Sequence, residues 1–185
     1  MSDADFDLVE IVPDRLQVEP FVAYKRLQVR IDRGRLRLEG MRRAYTGLDL
    51  TAECLASNSS HASPAPGEDC SCGFYGYKER SKIYYSGEAF ATVELFGRVI
   101  VGEKGYRAQR QRIVHLAVDA ECAACRLFGD DRRSADGLYF GLGTRSPVIL
   151  CAEHGVGAMT MHAAARFDLE MMSAHVGVET VWKFD

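Results

Sequence analysis

Two short spacings in the last third of the chain constrain its fold more than any other feature. Cys122 and Cys125 stand two residues apart, as do Cys151 and His154, and residues 126–150 lie between the pairs. This is the ligand spacing of a tetrahedral zinc site. A two-residue gap lets two side chains converge on one ion while the turn's backbone N–H groups bond the sulfurs, and a second such turn supplies the remaining two corners. The fold must therefore bring 122–125 and 151–154 to a common point. Ser146–Leu150 reads as a short β-type run delivering Cys151 to its turn, and Gly155 and Gly157 follow His154.

The ligand reading depends on redox compartment. The start, Met1-Ser-Asp-Ala-Asp-Phe-Asp7, is acidic and lacks the charged-then-apolar pattern of an export signal. No run is long and apolar enough for a membrane span. These features point to the cytoplasm, where thiols stay reduced. The six cysteines then read as metal ligands or buried thiols rather than disulfides. A net charge of −3 argues against a nucleic-acid coat protein but leaves room for a local basic face.

The chain has 185 residues, enough for one compact domain. Within it, residues 1–119 read as a β-hairpin module and 120–185 as a zinc-knuckle lobe with a C-terminal helix and strand. From Phe21 the pattern alternates. Leu27, Val29 and Ile31 face one way and Arg26, Gln28 and Arg30 the other; Asp32-Arg33-Gly34 turns the chain, and Leu36 and Leu38 alternate with Arg35 and Arg37. A second hairpin spans Ala89 to Val118 and turns at Gly102–Gly105. Ala91, Val93 and Leu95 share one face of it, and Ala108, Val114, Leu116 and Val118 one face of the return strand. Gly97 inside that pattern predicts a bulge or the close approach of another backbone. Arg26, Arg30, Arg35, Arg37, Lys78, Lys82, Arg107 and Arg110 are candidate phosphate contacts, although in an overall acidic chain a solvated sheet face is the commoner use of such residues.

Leu48–Cys54 reads as another short strand, and 56–69 is a loop by composition, ending in Cys70-Ser-Cys72-Gly73. Cys54, His61, Cys70 and Cys72 are candidate ligands for a second metal site. The six cysteines divide three and three, and one histidine completes each set; the alternative is a buried strand thiol at Cys54 and an exposed His61. Between Phe74 and Tyr85, aromatic residues interleave with Lys78, Arg80 and Lys82. That mixture suits single-stranded nucleic acid, but Tyr and Phe more commonly build small β cores. Ala158 to about Met172 predicts a helix with Met161, Ala165, Leu169 and Met172 near one face. Val176–Phe184 reads as a last strand, with Trp182 as a core anchor.

The fold class expected is α+β: a β-rich, bent antiparallel sheet or small barrel of hairpins, with a zinc-knuckle lobe and one C-terminal helix. A phosphate-binding P-loop, an H-E-x2-H helix and a third glycine after Gly141-Leu-Gly143 are all missing, so no nucleotide cofactor is implied. A zinc deaminase would need a glutamate two residues after a histidine or cysteine ligand and a proline before Cys122, where Glu121 stands. A redox role for Cys122-x2-Cys125 requires the motif at a helix start after a strand.

Cys70-x-Cys72-Gly-Phe-Tyr, Val93-x-Leu-x-Gly97-Arg-Val-Ile, Gly105-Tyr-Arg107-Ala, Cys122-x2-Cys125 and Cys151-x2-His154 together resemble a family of small bacterial Cys/His proteins with no assigned activity. The similarity spans roughly 20–180. It implies that the Cys and His positions act as one system, and it supplies no substrate.

The expected function is a zinc-binding regulatory or interaction protein. One or two structural Zn2+ ions would hold a binding surface for nucleic acid or a protein partner, because a four-ligand site leaves the metal no open position for substrate. The alternatives are a C-x2-C thiol redox protein and a zinc hydrolase with an incomplete ligand set, in which Glu53, Glu121 or Glu153 would be the general base.

Overall fold

The fold follows from a computed structural model that describes residues 8–17, 19–40, 44–54, 65–83, 87–129 and 133–183. The described residues form eleven strands and three short α-helices, with a bent, largely antiparallel sheet that β11 (Thr180–Lys183) joins in parallel and a second, three-stranded sheet. This is the β-rich α+β class expected. In the main sheet, β6 (Ala89–Gly102), β2 (Phe21–Asp32), β5 (Phe74–Tyr77) and β7 (Gly105–Asp119) pair in that order. β6 also pairs with β7, so these pairings form a closed cycle. Both predicted hairpins are present. In the first, β2 meets β3 (Arg35–Glu39) with Val29 opposite Leu38 and Asp32 opposite Arg35. Arg33 and Gly34 between them both take positive φ, the left-handed pair that a two-residue hairpin loop requires.

The residues group into two compact units, each discontinuous in sequence. Unit 1 comprises Met1–Lys25, Gly47–Tyr85 and Ala91–Val114. In it β1 (Leu8–Val12) lies antiparallel to the end of β6, Leu8 opposite Gly102. β5 and then β4 (Asp49–Thr51) pair along β7, with Phe74 opposite Ala108 and Leu50 opposite Gln111. Its core comes from strict alternation: Ala91, Val93, Leu95 and Val99 of β6 are fully buried. Burying each of the branched side chains, Val93, Leu95 and Val99, contributes about 1.5–3 kcal/mol. Gly97 sits in that row at φ +79, and a Cβ there would lie 2.7 Å from Gln109 Oε1. The close neighbour is thus a side chain: Gln109 Oε1 accepts from the Arg98 N–H at 3.2 Å.

β2 buries a cation. Lys25 is buried, and its Nζ donates to Gln111 Oε1 at 2.7 Å and lies 6.0 Å from the centre of the Phe74 ring. Removing one acceptor from a buried ammonium leaves it partly desolvated, a penalty of about 1–3 kcal/mol. Gln111→Leu is therefore expected to lower stability by about 2 kcal/mol, and Lys25→Met with Gln111→Leu to recover most of it. Urea denaturation of the single and double variants measures both.

Unit 2 comprises Arg26–Thr46, Ser86–Phe90 and His115–Asp185, so all of 120–185 lies within it. β11 (Thr180–Lys183) runs parallel to the end of β7, Thr180 opposite Leu116. The second sheet has the order β10 (Ala165–Phe167), β8 (Gly137–Phe140), β9 (Val148–Leu150). The helices are α1 (Ala123–Phe128), α2 (Ala152–His162) and α3 (Leu169–Val176).

Three expectations are corrected here. The single helix over 158–172 is instead the end of α2, strand β10 and the start of α3. Ala163 takes φ +47 and ends α2; Phe167 then pairs opposite Leu138 and packs edge-on against Phe140 at 5.5 Å. Ladder bonds and aromatic burial outweigh helical periodicity over this stretch. Asp168 restarts the helix by accepting from the Met171 N–H at 2.8 Å. Asp168→Ala is expected to cost about 1 kcal/mol, read from the shift in thermal midpoint. Second, Val114 is exposed although Leu116 and Val118 are buried. The inward set of β7 passes from Gln111 and Ile113 to Leu116 and Val118, a change of parity that a flat strand does not make. Third, Trp182 is half-buried rather than a core anchor.

Candidate metal centre

The two ligand pairs of unit 2 are placed by the same local device. After β7, Cys122 is the N-cap of α1 and Cys125 its third residue; after β9, Cys151 is the N-cap of α2 and His154 its third residue. A helix start holds the cap residue and the third position side by side, with unpaired N–H groups pointing toward them. Gly155 N–H donates to the Cys151 carbonyl at 2.8 Å and Arg126 N–H to the Cys122 carbonyl at 3.1 Å, closing both first turns. Each helix ends on a left-handed residue, Gly129 at φ +75 and Ala163 at φ +47.

The two helix starts meet. His154 Nδ1 lies 3.5 Å from Cys122 Sγ, 3.5 Å from Cys125 Sγ and 3.3 Å from Cys151 Sγ, and Cys125 Sγ lies 4.0 Å from Cys151 Sγ. A tetrahedral ion about 2.3 Å from sulfur and about 2.0 Å from nitrogen demands sulfur–nitrogen edges of about 3.5 Å and sulfur–sulfur edges of about 3.8 Å. The four atoms therefore could hold a metal ion, as the spacing predicts.

The surroundings suit this role. Cys122, Cys125 and Cys151 are buried in one cluster with Tyr139 and Leu150. The Tyr139 hydroxyl donates to Asp136 Oδ1 at 2.8 Å, and its own dissociation is pushed up to about 12 by burial and then by that carboxylate. Burial also pushes the Cys122 thiol up, but N–H groups of Cys125 and Cys151 and the two neighbouring thiols outweigh it, bringing Cys122 down to about 6. Burial raises Cys125, as do bonds to Cys122 and Cys151, against the backbone of Arg133. One sulfur is thus prepared as a thiolate by helix-start donors. The Arg133 and Glu153 side chains form an ion pair on the exposed side.

In unit 1, Cys54, Cys70 and Cys72 bring three sulfurs within 4.8 Å of one another and also could hold a metal ion. Cys54 Sγ and Cys70 Sγ are 3.5 Å apart. Burial first, then the neighbouring Cys70 and Cys54, pushes the Cys72 thiol up to about 11, against a bond from the Gly67 N–H. His61 lies outside the described residues.

All six cysteines are free thiols. Cys122-x2-Cys125 does stand at a helix start after a strand, the placement a redox dithiol needs. Cys151 and His154 converging on the same point are what a dithiol alone would not require. Glu121 and Glu153 are exposed beside a complete four-ligand set, and Glu53 is exposed beside Cys54.

The candidate phosphate contacts fall in both units, Arg26, Arg30, Arg35 and Arg37 in unit 2 and Lys78, Lys82, Arg107 and Arg110 in unit 1. Arg26 binds Asp119 at 2.8 Å and the Gly87 carbonyl at 2.9 Å. Arg30 binds Glu88 at 3.3 Å and Gln28 at 2.6 Å. Arg107 is buried and donates to the Cys70 carbonyl. Arg37 pairs with Asp32 at 3.1 Å, Lys78 stands over the Tyr106 ring and Arg110 over Phe96, while Arg35 and Lys82 are exposed. Phe74 and Tyr77 are core residues, and Tyr84 and Tyr85 lie outside the described residues.

Tyr139 and the structural use of Arg107 are missed by sequence reasoning. Arg107 shares the inward parity of Gln111 and Ile113, a signal hidden by choosing the other face of β7. Among the described residues no helix is long and apolar enough to cross a membrane. No protein-family model, no curated protein and no solved structure matches the chain.

Proposed function

We propose that this protein is a zinc-stabilised interaction module, with Cys122, Cys125, Cys151 and His154 holding a structural Zn2+ and the ligand-bearing helices presenting a surface to a protein partner. The observation that carries this is three sulfur–nitrogen distances and one sulfur–sulfur distance among the four atoms, which fit the edges of a tetrahedral zinc site. Three thiolates and an imidazole favour zinc over hard cations, and four protein ligands leave no position for activated water. The ion's work is then to link α1 and α2, two helices too short to be stable alone.

A protein partner is favoured because α1 and α2 expose Leu127, Phe128, Val156, Met159 and Met161, while Arg26, Arg30 and Arg107 are bonded internally. Large apolar side chains left in water mark association surfaces.

The test is metal analysis of protein purified without added metal, followed by Co2+ substitution. The expected result is an ion in a tetrahedral three-sulfur, one-nitrogen field, released as pH falls because the ligands must be deprotonated. An octahedral spectrum would overturn the closed tetrahedral site, and no metal with a readily formed Cys122–Cys125 disulfide would replace this reading with redox chemistry. Oligonucleotide binding that weakens steeply with salt would instead assign Arg35, Arg37, Lys78, Lys82 and Arg110 to phosphate contacts.

A further inference from the structure

Arg107 carries a positive charge into unit 1 without a carboxylate to balance it. The residue is 7 % exposed, and its guanidinium donates to the Cys70 carbonyl and lies 6.0 Å from the centre of the Tyr75 ring. Its Nε is buried with no hydrogen-bond partner. Among the described residues no carboxylate pairs with it, whereas Arg98 and Arg112 of the same hairpin pair with Glu68 and Asp49, each at 2.7 Å. A buried cation left unpaired is costly, and an anion held against it is the usual compensation.

The segment that Arg107 binds can supply that anion. Cys54, Cys70 and Cys72 bring three sulfurs within 4.8 Å of one another. Cys54 Sγ and Cys70 Sγ are 3.5 Å apart, near the edge of about 3.8 Å that two thiolates span on one tetrahedral ion. Bonds to the backbone fix the segment: the Tyr75 hydroxyl donates to the Ser71 carbonyl at 2.8 Å, and the Gly67 N–H donates to Cys72 Sγ at 3.2 Å. Gly73 follows at φ +117, where a Cβ would lie 2.9 Å from Arg107 Cγ, so the arginine stem is packed against the cysteine-bearing turn. As three sulfur–metal bonds form, three thiol protons pass to solvent. A divalent ion with three thiolates then carries one net negative charge, and Arg107 carries one positive charge. Soft sulfur ligands select Zn2+ and similar thiophilic ions over hard cations.

We propose that Cys54, Cys70 and Cys72 hold a second, thiophilic divalent cation in unit 1, with Arg107 balancing the charge of the metal–thiolate group. Arg107 bonds the backbone of a ligand residue rather than the ion, so it acts as a positioning residue. This site shares no ligand with the Cys122 centre, and each can fail without the other.

The test is titration of the reduced full chain with Cd2+, followed by cadmium NMR and sulfur-to-metal charge-transfer absorbance. Two ions per chain and two resonances are expected. Cys54→Ser and Cys72→Ser are each expected to remove the same resonance and keep the other. Thiol alkylation of the wild type, mapped by mass spectrometry, reads the ligands without any variant: Cys54, Cys70 and Cys72 are expected to be protected once Cd2+ is bound. Arg107→Met is expected to weaken binding at this site by about 10–100-fold, and Arg107→Lys, which keeps the charge, to stay within a few-fold of the wild type. The proposal is overturned if Cys72→Ser keeps every resonance, or if the three thiols alkylate equally with and without Cd2+. Equal affinity in Arg107→Met and the wild type would overturn the charge balance. A single resonance that disappears in Cys72→Ser would support this site and count against the Cys122 centre; a single resonance that survives there would do the reverse.

Discussion

If Cys122, Cys125, Cys151 and His154 hold a structural zinc as proposed, Cys125→Ser is expected to strip the ion from unit 2 and abolish cooperative folding of its helices near ambient temperature. Cys125 is 1 % exposed, and its sulfur lies 3.5 Å from His154 Nδ1 and 4.0 Å from Cys151 Sγ. A serine hydroxyl is a poor ligand for a soft ion, so the centre drops to three ligands. Structural zinc contributes about 10–16 kcal/mol in small domains, comparable with the whole stability of a domain at about 5–15 kcal/mol. Losing much of that cannot be absorbed by α1, six residues long and ending in exposed Leu127 and Phe128. Metal content and near-ultraviolet circular dichroism read the effect, with Leu127→Ser as the surface control. A Cys125→Ser protein that keeps its metal and melts within a few degrees of the wild type would remove the centre from the folding of unit 2.

Gly155→Ala is expected to destabilise the protein by about 2–3 kcal/mol, where the same change on an open helix would stabilise it by about 1 kcal/mol. A Cβ at Gly155 would sit on the Tyr139 hydroxyl and the adjoining ring carbons. Tyr139 is 2 % exposed and tied to Asp136 at 2.8 Å, so it cannot withdraw without breaking that bond and opening the cluster around the sulfurs. Gly157 lies two residues on, and a Cβ there would meet only Met161 Cε at 3.6 Å, an ordinary contact. Gly157→Ala is thus the matched control, neutral or stabilising by thermal melt. Equal effects at the two glycines would contradict the packing of α2 on β8.

The difference between those glycines lies outside what local sequence carries. Both follow His154 in a stretch that looks like a turn, and only Tyr139, brought over on β8, separates them. Similarly, the C-x2-C and C-x2-H spacings single out four residues that converge and could hold a metal ion, because a tetrahedral site imposes its geometry on its ligands, but they do not show that both pairs are helix starts. The hairpins were legible for a related reason. Alternation records which side of a strand is buried, and Leu27, Val29, Val93 and Leu95 all point inward as it predicts. Where the strand changes its inward parity, at Val114, alternation misleads.

Spacing and period are local quantities, and they alone carried the β-rich class, the two hairpins and the convergence of Cys122, Cys125, Cys151 and His154 in unit 2. Partner choice is a long-range quantity. Asp119 meets Arg26, Gln111 meets Lys25, and the Cys70 carbonyl meets Arg107 across chain separations with no sequence trace. Those contacts decided that Arg26 and Arg107, read as part of a basic face, are internal donors. Tertiary packing likewise buries Cys122, Cys125 and Cys151 while Cys54, Cys70 and Cys72 stay half-buried.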